Sequence, residues 1–207
     1  MKTKIEVAKT AGFCFGVDRA VNLVYSLLDN GEKVCTLGPI IHNPQLVEHL
    51  KQRGTVIADG VSDIPDGYTV VIRSHGVGRE IYDYLEKSNI KYVDATCPFV
   101  SKIHKIVAEA HKDNKTVLIA GDKNHPEVIG INGHCNNEAY IFMTADSLEE
   151  IFENNKKHFK DDVILVAQTT FNIFEWNKCK EKLKKLCTNP IIFDTICSAT
   201  DKRQREA

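Results

Sequence analysis

The chain has 207 residues, 43% of them apolar and 27% charged, with a formal net charge of −1. That length buries a real core and makes one or two domains, and the near-neutral balance carries no electrostatic footprint for nucleic acid or an anionic membrane. No apolar run is long enough for a signal peptide or a bilayer span, so the expected compartment is the cytoplasm. Seven cysteines in such a chain point to thiols, metal ligation or redox work and not to a disulfide framework.

In chain order, Cys14 comes first, in Ala11-Gly12-Phe13-Cys14-Phe15-Gly16-Val17. It precedes a predicted helix over 17–28, whose apolar residues recur with helical period. A strand is predicted over 34–41. Asn43 then caps a helix with Pro44 as its first residue, running over 45–52. A short strand over 55–58, a loop over 62–67, a buried strand over 69–73 and a helix over 79–87 follow. A strand over 91–93 leads to Cys97 in Val93-Asp94-Ala95-Thr96-Cys97-Pro98, and a helix over 98–111 starts there. The same order then recurs: strand 116–120, helix 126–133, strand 139–142, helix 147–154, strand 163–167, helix 171–186, strand 191–193. Cys197 stands in Phe193-Asp194-Thr195-Ile196-Cys197-Ser198, and residues 199–207 read as the first turns of another helix. Such alternation predicts parallel sheets with helices on their faces.

Cys14, Cys97 and Cys197 each follow an extended apolar run and open a helical one, and two of them share Asp-x-x-Cys. Any one could be an inert core residue. As a set, three lobes could each aim one thiolate at a common point, an arrangement suited to an iron–sulfur cluster with one iron free of protein ligands. Cys35, Cys135, Cys179 and Cys187 lack that setting and read as buried small residues or free thiols. The absence of a Cys-x2-Cys pair argues against a zinc ribbon. Neither a Gly-x-Gly-x-x-Gly after a strand nor a Walker A motif is present.

In open parallel sheets, ligands gather beyond the carboxyl ends of the strands, where helix N-termini favour anions. His42 follows the strand over 34–41. Ser74 and His75 follow 69–73, His125-Pro126-Glu127 follows 116–120, and Gln168-Thr169-Thr170 follows 163–167. A lone histidine at a strand end is ordinarily a loop or capping residue. Three in one topological position, with hydroxyls, suit a shared diphosphate site. Thr169 reads equally as a helix cap or a ligand contact. Glu127 reads as a first-turn helix residue or, two places after His125, as a functional acid. His49, His104, His111, His134 and His158 are expected to be solvated or packed. Ser74-His75 makes no hydrolase pair, because adjacent side chains rarely point at one another and no nucleophile elbow surrounds them.

Seven segments closely resemble the 4-hydroxy-3-methylbut-2-enyl diphosphate reductase family. They are Gly12-Phe13-Cys14-Phe15-Gly16-Val17-Asp18-Arg19-Ala20, Gly38-Pro39-Ile40-Ile41-His42-Asn43, Ser74-His75-Gly76-Val77, Asp94-Ala95-Thr96-Cys97-Pro98, His125-Pro126-Glu127-Val128, Gln168-Thr169-Thr170 and Ile196-Cys197-Ser198-Ala199-Thr200. The resemblance covers the whole chain in order. It implies an α/β fold, a pseudo-three-fold trefoil of small parallel-sheet lobes around a central cluster. It also implies reductive dehydroxylation of an allylic diphosphate to isopentenyl and dimethylallyl diphosphates, the last step of the non-mevalonate isoprenoid pathway. Carried over by residue, Cys14, Cys97 and Cys197 are the implied ligands of a [4Fe–4S] cluster, which becomes [3Fe–4S] on oxidation. His42, His75, His125, Thr169 and Ser198 are the implied substrate contacts, Glu127 the implied proton source, and ferredoxin or flavodoxin the implied electron donor.

The lobes are expected at 14–96 and 97–193, with 1–13 an N-terminal strand segment belonging with a third lobe that begins at 194–207. A strand and the start of a helix cannot bury their own apolar face, so most of that third lobe is expected to be missing. With it would go a Ser-x-Asn type motif and a further serine that the family pattern carries beyond Cys197, and this exact chain is then expected to lack part of the diphosphate site and of its activity. The alternative class is a cluster-bearing sensor without turnover, which would need neither the histidines nor Glu127.

Overall fold

The computed structural model describes residues 6–155, 159 and 162–206; His158 and residues 1–5 of the expected N-terminal segment lie outside them. Two four-stranded sheets form, both parallel throughout. The first contains β1 (Val34–Leu37), β2 (Val56–Ala58), β3 (Thr69–Ile72) and β4 (Tyr92–Asp94) in the order β2-β1-β3-β4. The second contains β5 (Thr116–Ala120), β6 (Tyr140–Phe142), β7 (Val163–Ala167) and β8 (Ile191–Ile192) in the order β6-β5-β7-β8. The two orders are the same, so the repeat read from the alternation of elements is a repeat of topology. β1, β3, β5 and β7 are buried at every position, as expected for central strands covered by helices on both faces.

Those helices are α1 (Phe15–Asp29), α2 (Pro44–Gln52), α3 (Arg79–Lys87) and α4 (Pro98–Lys112), then α5 (Pro126–Gly133), α6 (Ala145–Asn155), α7 (Ile173–Leu186) and α8 (Ser198–Glu206). The first sheet packs α1 and α2 residues such as Val24 and Leu50 against Val34 and Val71 on one face. Its other face buries Leu85 of α3 against Val70 and Ile72. The second sheet buries Ile103 and Val107 of α4 with Ile131 of α5 against Val117, Ile119 and Val166. Its opposite face holds Trp176 and Leu183 of α7 with Leu148 of α6.

Element ends shift by a few residues throughout; four departures from the sequence expectation have clear local reasons. The strand expected over 34–41 stops at Leu37 because Gly38 turns to φ +71°, a conformation open chiefly to glycine. Its N–H still reaches the Ala58 carbonyl at 2.8 Å. The loop expected over 62–67 begins with a 3-10 turn at Val61–Asp63, where the Asp63 carboxylate accepts from the Gly60 N–H at 3.1 Å. The helix after Cys14 starts at Phe15, with Cys14 itself as N-cap. No strand forms over residues 6–13, so among the described residues Cys14 opens a helix without a strand before it. This segment is held instead by α8. Glu206 accepts from the N–H groups of Lys9 and Thr10 at 2.7 and 2.9 Å, and Arg203 donates to the carbonyls of Thr10 and Gly12 at 3.2 and 2.6 Å.

The halves meet through close backbone approach. A Cβ on Gly133 of α5 would lie 2.6 Å from Gly78 Cα, and one on Gly130 would meet the Gly76–Val77 backbone at 3.4–3.5 Å. The His134 ring bonds the Val77 carbonyl at 3.1 Å and stacks on His104 with centroids 4.1 Å apart. His104 is 5% exposed, and burial, with His134 beside it, pushes its pKa down to about 3.

A free histidine titrates near 6.5. Below that pH the unfolded chain binds a proton that folded His104 refuses. Its contribution to stability is therefore complete above about pH 6.5 and is lost as pH falls toward 3, at about 1.4 kcal/mol per pH unit. Urea unfolding at pH 7, 6 and 5 should show this loss, and His104→Gln should flatten it.

Candidate active site

A sheet of order 2-1-3-4 has its topological switch point between the two central strands, and the crevice there opens at their carboxyl ends. In the first sheet this lies between β1 and β3, whose following loops carry His42 and Ser74-His75. In the second it lies between β5 and β7, followed by His125-Pro126-Glu127 and Gln168-Thr169-Thr170. The two switch points face one cavity of about 660 Å³, counted to its open mouth. Its lining includes Cys14, Cys97, Cys197, Ser74, His75, Glu127 and Thr169.

The two Asp-x-x-Cys segments are fixed in parallel ways. The Cys97 N–H donates to the Ser74 carbonyl and the Cys197 N–H to the Thr169 carbonyl, both at 2.9 Å. Each cysteine is thereby tied to the loop following the neighbouring central strand. Asp94 accepts from the Thr96 N–H at 2.8 Å and from the Tyr82 hydroxyl of α3 at 3.1 Å. Asp194 accepts from the Trp176 indole of α7 at 2.7 Å. The aspartate of each motif thus anchors to an aromatic residue on the preceding crossover helix. Sequence reasoning noted both aspartates but not Tyr82 or Trp176; polar aromatics on the two matching helices were the available signal.

All three cysteines line the cavity. Burial raises the Cys97 pKa, the amides of Phe99 and Val100 partly offset this, and the neighbouring Cys197 and Cys14 raise it further. A Cβ on Gly16 would come within 2.6 Å of Cys97 Sγ, so that thiol occupies space which only glycine leaves open. Three soft sulfur ligands around a largely apolar cavity fit an iron–sulfur cluster. Gly16 sits in α1 without a positive φ, so alanine there suits the helix by about 1 kcal/mol while its methyl displaces Cys97. Gly16→Ala should therefore retain or raise the melting temperature and lose iron retention, checked by thermal melts beside iron and sulfide content after anaerobic reconstitution.

Glu127 is 2% exposed. Its Oε1 accepts from the Thr169 N–H at 2.6 Å and its Oε2 bonds the Thr169 hydroxyl at 2.7 Å. Burial raises the Glu127 pKa, and the two Thr169 contacts partly oppose the rise. Glu127 stands in the first turn of α5, whose N-cap is His125. The His125 Nδ1 accepts from the Glu127 N–H at 3.1 Å, which leaves the ring proton on Nε2 as a donor.

His42, His75 and His125 form one cluster. Ring centroids lie 4.8, 5.7 and 5.4 Å apart, and one nitrogen from each falls within 4.8 Å of the others. Burial drives the His75 pKa down to about 3, with His42, Arg73 and His125 adding to it. Burial also lowers the His125 pKa, with His42 and Arg73 adding to it and Asp122 opposing it. Imidazoles at this spacing could hold a divalent cation or donate to an anion. Arg73 decides between them: a fixed positive charge beside the cluster repels a cation and attracts an anion.

Ser198, at the start of α8, is exposed and outside the cavity lining, where Ala199 and Thr200 take part instead. Cys35, Cys135 and Cys179 are buried, Cys187 is partly buried, and none of the four reaches the site. No helix among the described residues is long and apolar enough to cross a membrane.

Comparison with known proteins agrees with this geometry. Residues 5–207 match the model of the LytB protein family. A 4-hydroxy-3-methylbut-2-enyl diphosphate reductase from a Thermoanaerobacter species is 41% identical over 99% of this chain and 70% of its own length. The reductase of the same name from Clostridioides difficile is 43% identical over 98% of this chain and 72% of its own. A solved structure of (E)-4-hydroxy-3-methyl-but-2-enyl diphosphate reductase, described as the terminal enzyme of the non-mevalonate pathway, superposes with a TM-score of 0.81 at 40% identity, over 98% of this chain and 71% of that one. The Plasmodium falciparum reductase structure gives a TM-score of 0.85 at 28% identity, over 94% and 61%. The sequence motifs, the doubled parallel sheet and these matches along its whole length place the chain in the LytB family.

Proposed function

We propose that this chain is an oxidoreductase that removes the allylic hydroxyl of (E)-4-hydroxy-3-methylbut-2-enyl diphosphate and yields isopentenyl and dimethylallyl diphosphates. The observation that carries this reading is the meeting of three cysteines, a buried acid and His75 at one cavity, with His42 and His125 clustered on His75. The balance is simple. The C–O bond breaks, two electrons and two protons are taken up, and the hydroxyl leaves as water.

A [4Fe–4S] cluster on Cys14, Cys97 and Cys197 would supply the electrons and an iron open to the substrate oxygen. The chain's own residues do the rest. His42, His75 and His125 bind the diphosphate end, with the His125 Nε2–H as a donor fixed by its bond to the Glu127 amide. Glu127 holds the proton for the departing oxygen. Its Oε1 must accept from the Thr169 N–H, so the proton sits on Oε2, facing the Thr169 hydroxyl. Thr169 therefore either orients that proton or passes it on to the cavity. Burial, which raises the Glu127 pKa, keeps the acid loaded.

The chain works in the cytoplasm with a small acidic electron carrier, ferredoxin or flavodoxin, as donor. The test is product analysis: the reconstituted chain, a low-potential reductant and the hydroxylated diphosphate should yield both isomers. Slow turnover fits the partial loss of activity expected of this chain, whereas unchanged substrate together with no diphosphate binding by a fully loaded, reduced chain would favour the sensor reading.

A further inference from the structure

Arg73 ends β3, one residue before Ser74-His75, and is half-buried with its Nε wholly enclosed and without a hydrogen-bond partner. No carboxylate among the described residues pairs with it. Asp59 and Glu80 line the adjoining cavity together with Arg73, yet neither makes an ion pair with it. A guanidinium removed from water and left unpaired costs several kcal/mol, and an orphan of this kind in a folded protein calls for an explanation. Its head lies against the loop that leads to His42: a Cβ on Gly38 would stand 2.4 Å from Arg73 Nη1. Only a glycine in that loop lets the guanidinium lie there. Arg73 is also close enough to His75 and His125 for its charge to be felt by both rings.

Two of the three imidazoles, His75 and His125, are partly buried beside Arg73 and held toward the neutral form, so they meet the charge of a diphosphate poorly by themselves. The site thus needs a resident cation, and among the described residues Arg73 stands there unpaired. We propose that Arg73 is the fixed positive charge of the histidine cluster, a positioning residue that draws the diphosphate end of the substrate to His42, His75 and His125. The inference rests on the diphosphate reading above and names a residue which that reading does not use.

The experiment is calorimetric titration of the chain with inorganic diphosphate at several salt concentrations, for wild type, Arg73→Gln and Arg73→Lys. Arg73→Gln should bind at least about tenfold more weakly, the scale expected when one charge is removed from a buried charged contact, and its affinity should depend less steeply on salt. Arg73→Lys keeps the charge and should recover most of both. If Arg73→Gln does not fold, comparison of wild type with Arg73→Lys still tests the idea, since the retained charge must retain the salt slope. Wild-type affinity and salt slope in Arg73→Gln would overturn the inference, and so would an Arg73→Lys protein no better than Arg73→Gln. A wild-type chain that binds no diphosphate at all would overturn the substrate reading itself, a result distinct from either.

Discussion

Replacing Cys97 with serine abolishes the retention of iron and sulfide after anaerobic reconstitution, while Cys35→Ser and Cys179→Ser retain both. Serine is nearly isosteric, and what fixes residue 97 is its backbone. The N–H is held by the Ser74 carbonyl, Thr96 by Asp94, and Asp94 by Tyr82. The fold around the site therefore survives the change, and what is lost is a soft anionic ligand. Cys35 and Cys179 sit in the sheet and helix cores, 0% exposed, where burial raises their pKa, to about 12 for Cys179. Thiols so far from ionisation are inert, and replacing them costs packing alone. Cys97 is also raised by burial, so loading must release its proton, and iron retention in the wild type should weaken as pH falls. Iron and sulfide assays on the four proteins, with melts to show that each is folded, decide the matter. A Cys97→Ser protein with a full complement of iron would sink the assignment.

The core and the order of elements were legible because the central strands are short, Val- and Ile-rich runs, with Thr and Cys among them in β1, alternating with helical periods. β5, α5 and β7 lie where the sequence places them, and Asn43 caps α2 through its side chain at 3.0 Å from the Leu46 N–H. The site was legible for a different reason. Parallel sheets put ligands at strand ends, so His42, His75, His125, Glu127 and Thr169 could be singled out before any contact was known. What remained hidden depends on three-dimensional approach. Nothing in the letters says that Gly16 makes room for the Cys97 thiol, or that Gly38 makes room for Arg73. Arg73 itself read as the last residue of a strand. That it is half-buried, its Nε enclosed without a partner, emerges only when every neighbouring carboxylate has been placed. Residues 6–13 were read as extended and apolar, but their backbone groups go to Glu206 and Arg203 and not to a sheet, a pairing nearly two hundred positions away in the chain.

Glu127→Gln reduces turnover by about 10²–10⁴, the usual range for removal of a general acid, and leaves iron retention and diphosphate affinity near wild type. The substitution suits the site. The amide oxygen can still accept from the Thr169 N–H, and the NH2 can donate to the Thr169 hydroxyl, so both contacts of the carboxyl group persist. Only the ability to give up a proton disappears. Two effects compete over that proton. The first turn of α5 favours the carboxylate, as do the two Thr169 contacts, whereas burial favours the acid; burial prevails and the pKa is raised. A dianionic substrate end held by the neighbouring histidines adds negative charge and pushes it further in the same direction. The wild-type rate should therefore fall as pH rises through the Glu127 pKa, because the acid is then empty, and this limb of the pH–rate profile should vanish from the residual activity of Glu127→Gln. Thr169→Val separates the two routes for the proton. If the hydroxyl relays it, the valine enzyme is as slow as Glu127→Gln. If the hydroxyl only orients Oε2, the loss is smaller and the pH limb remains. A Glu127→Gln enzyme with near-normal turnover and an intact pH limb would mean that the departing oxygen receives its proton from another group.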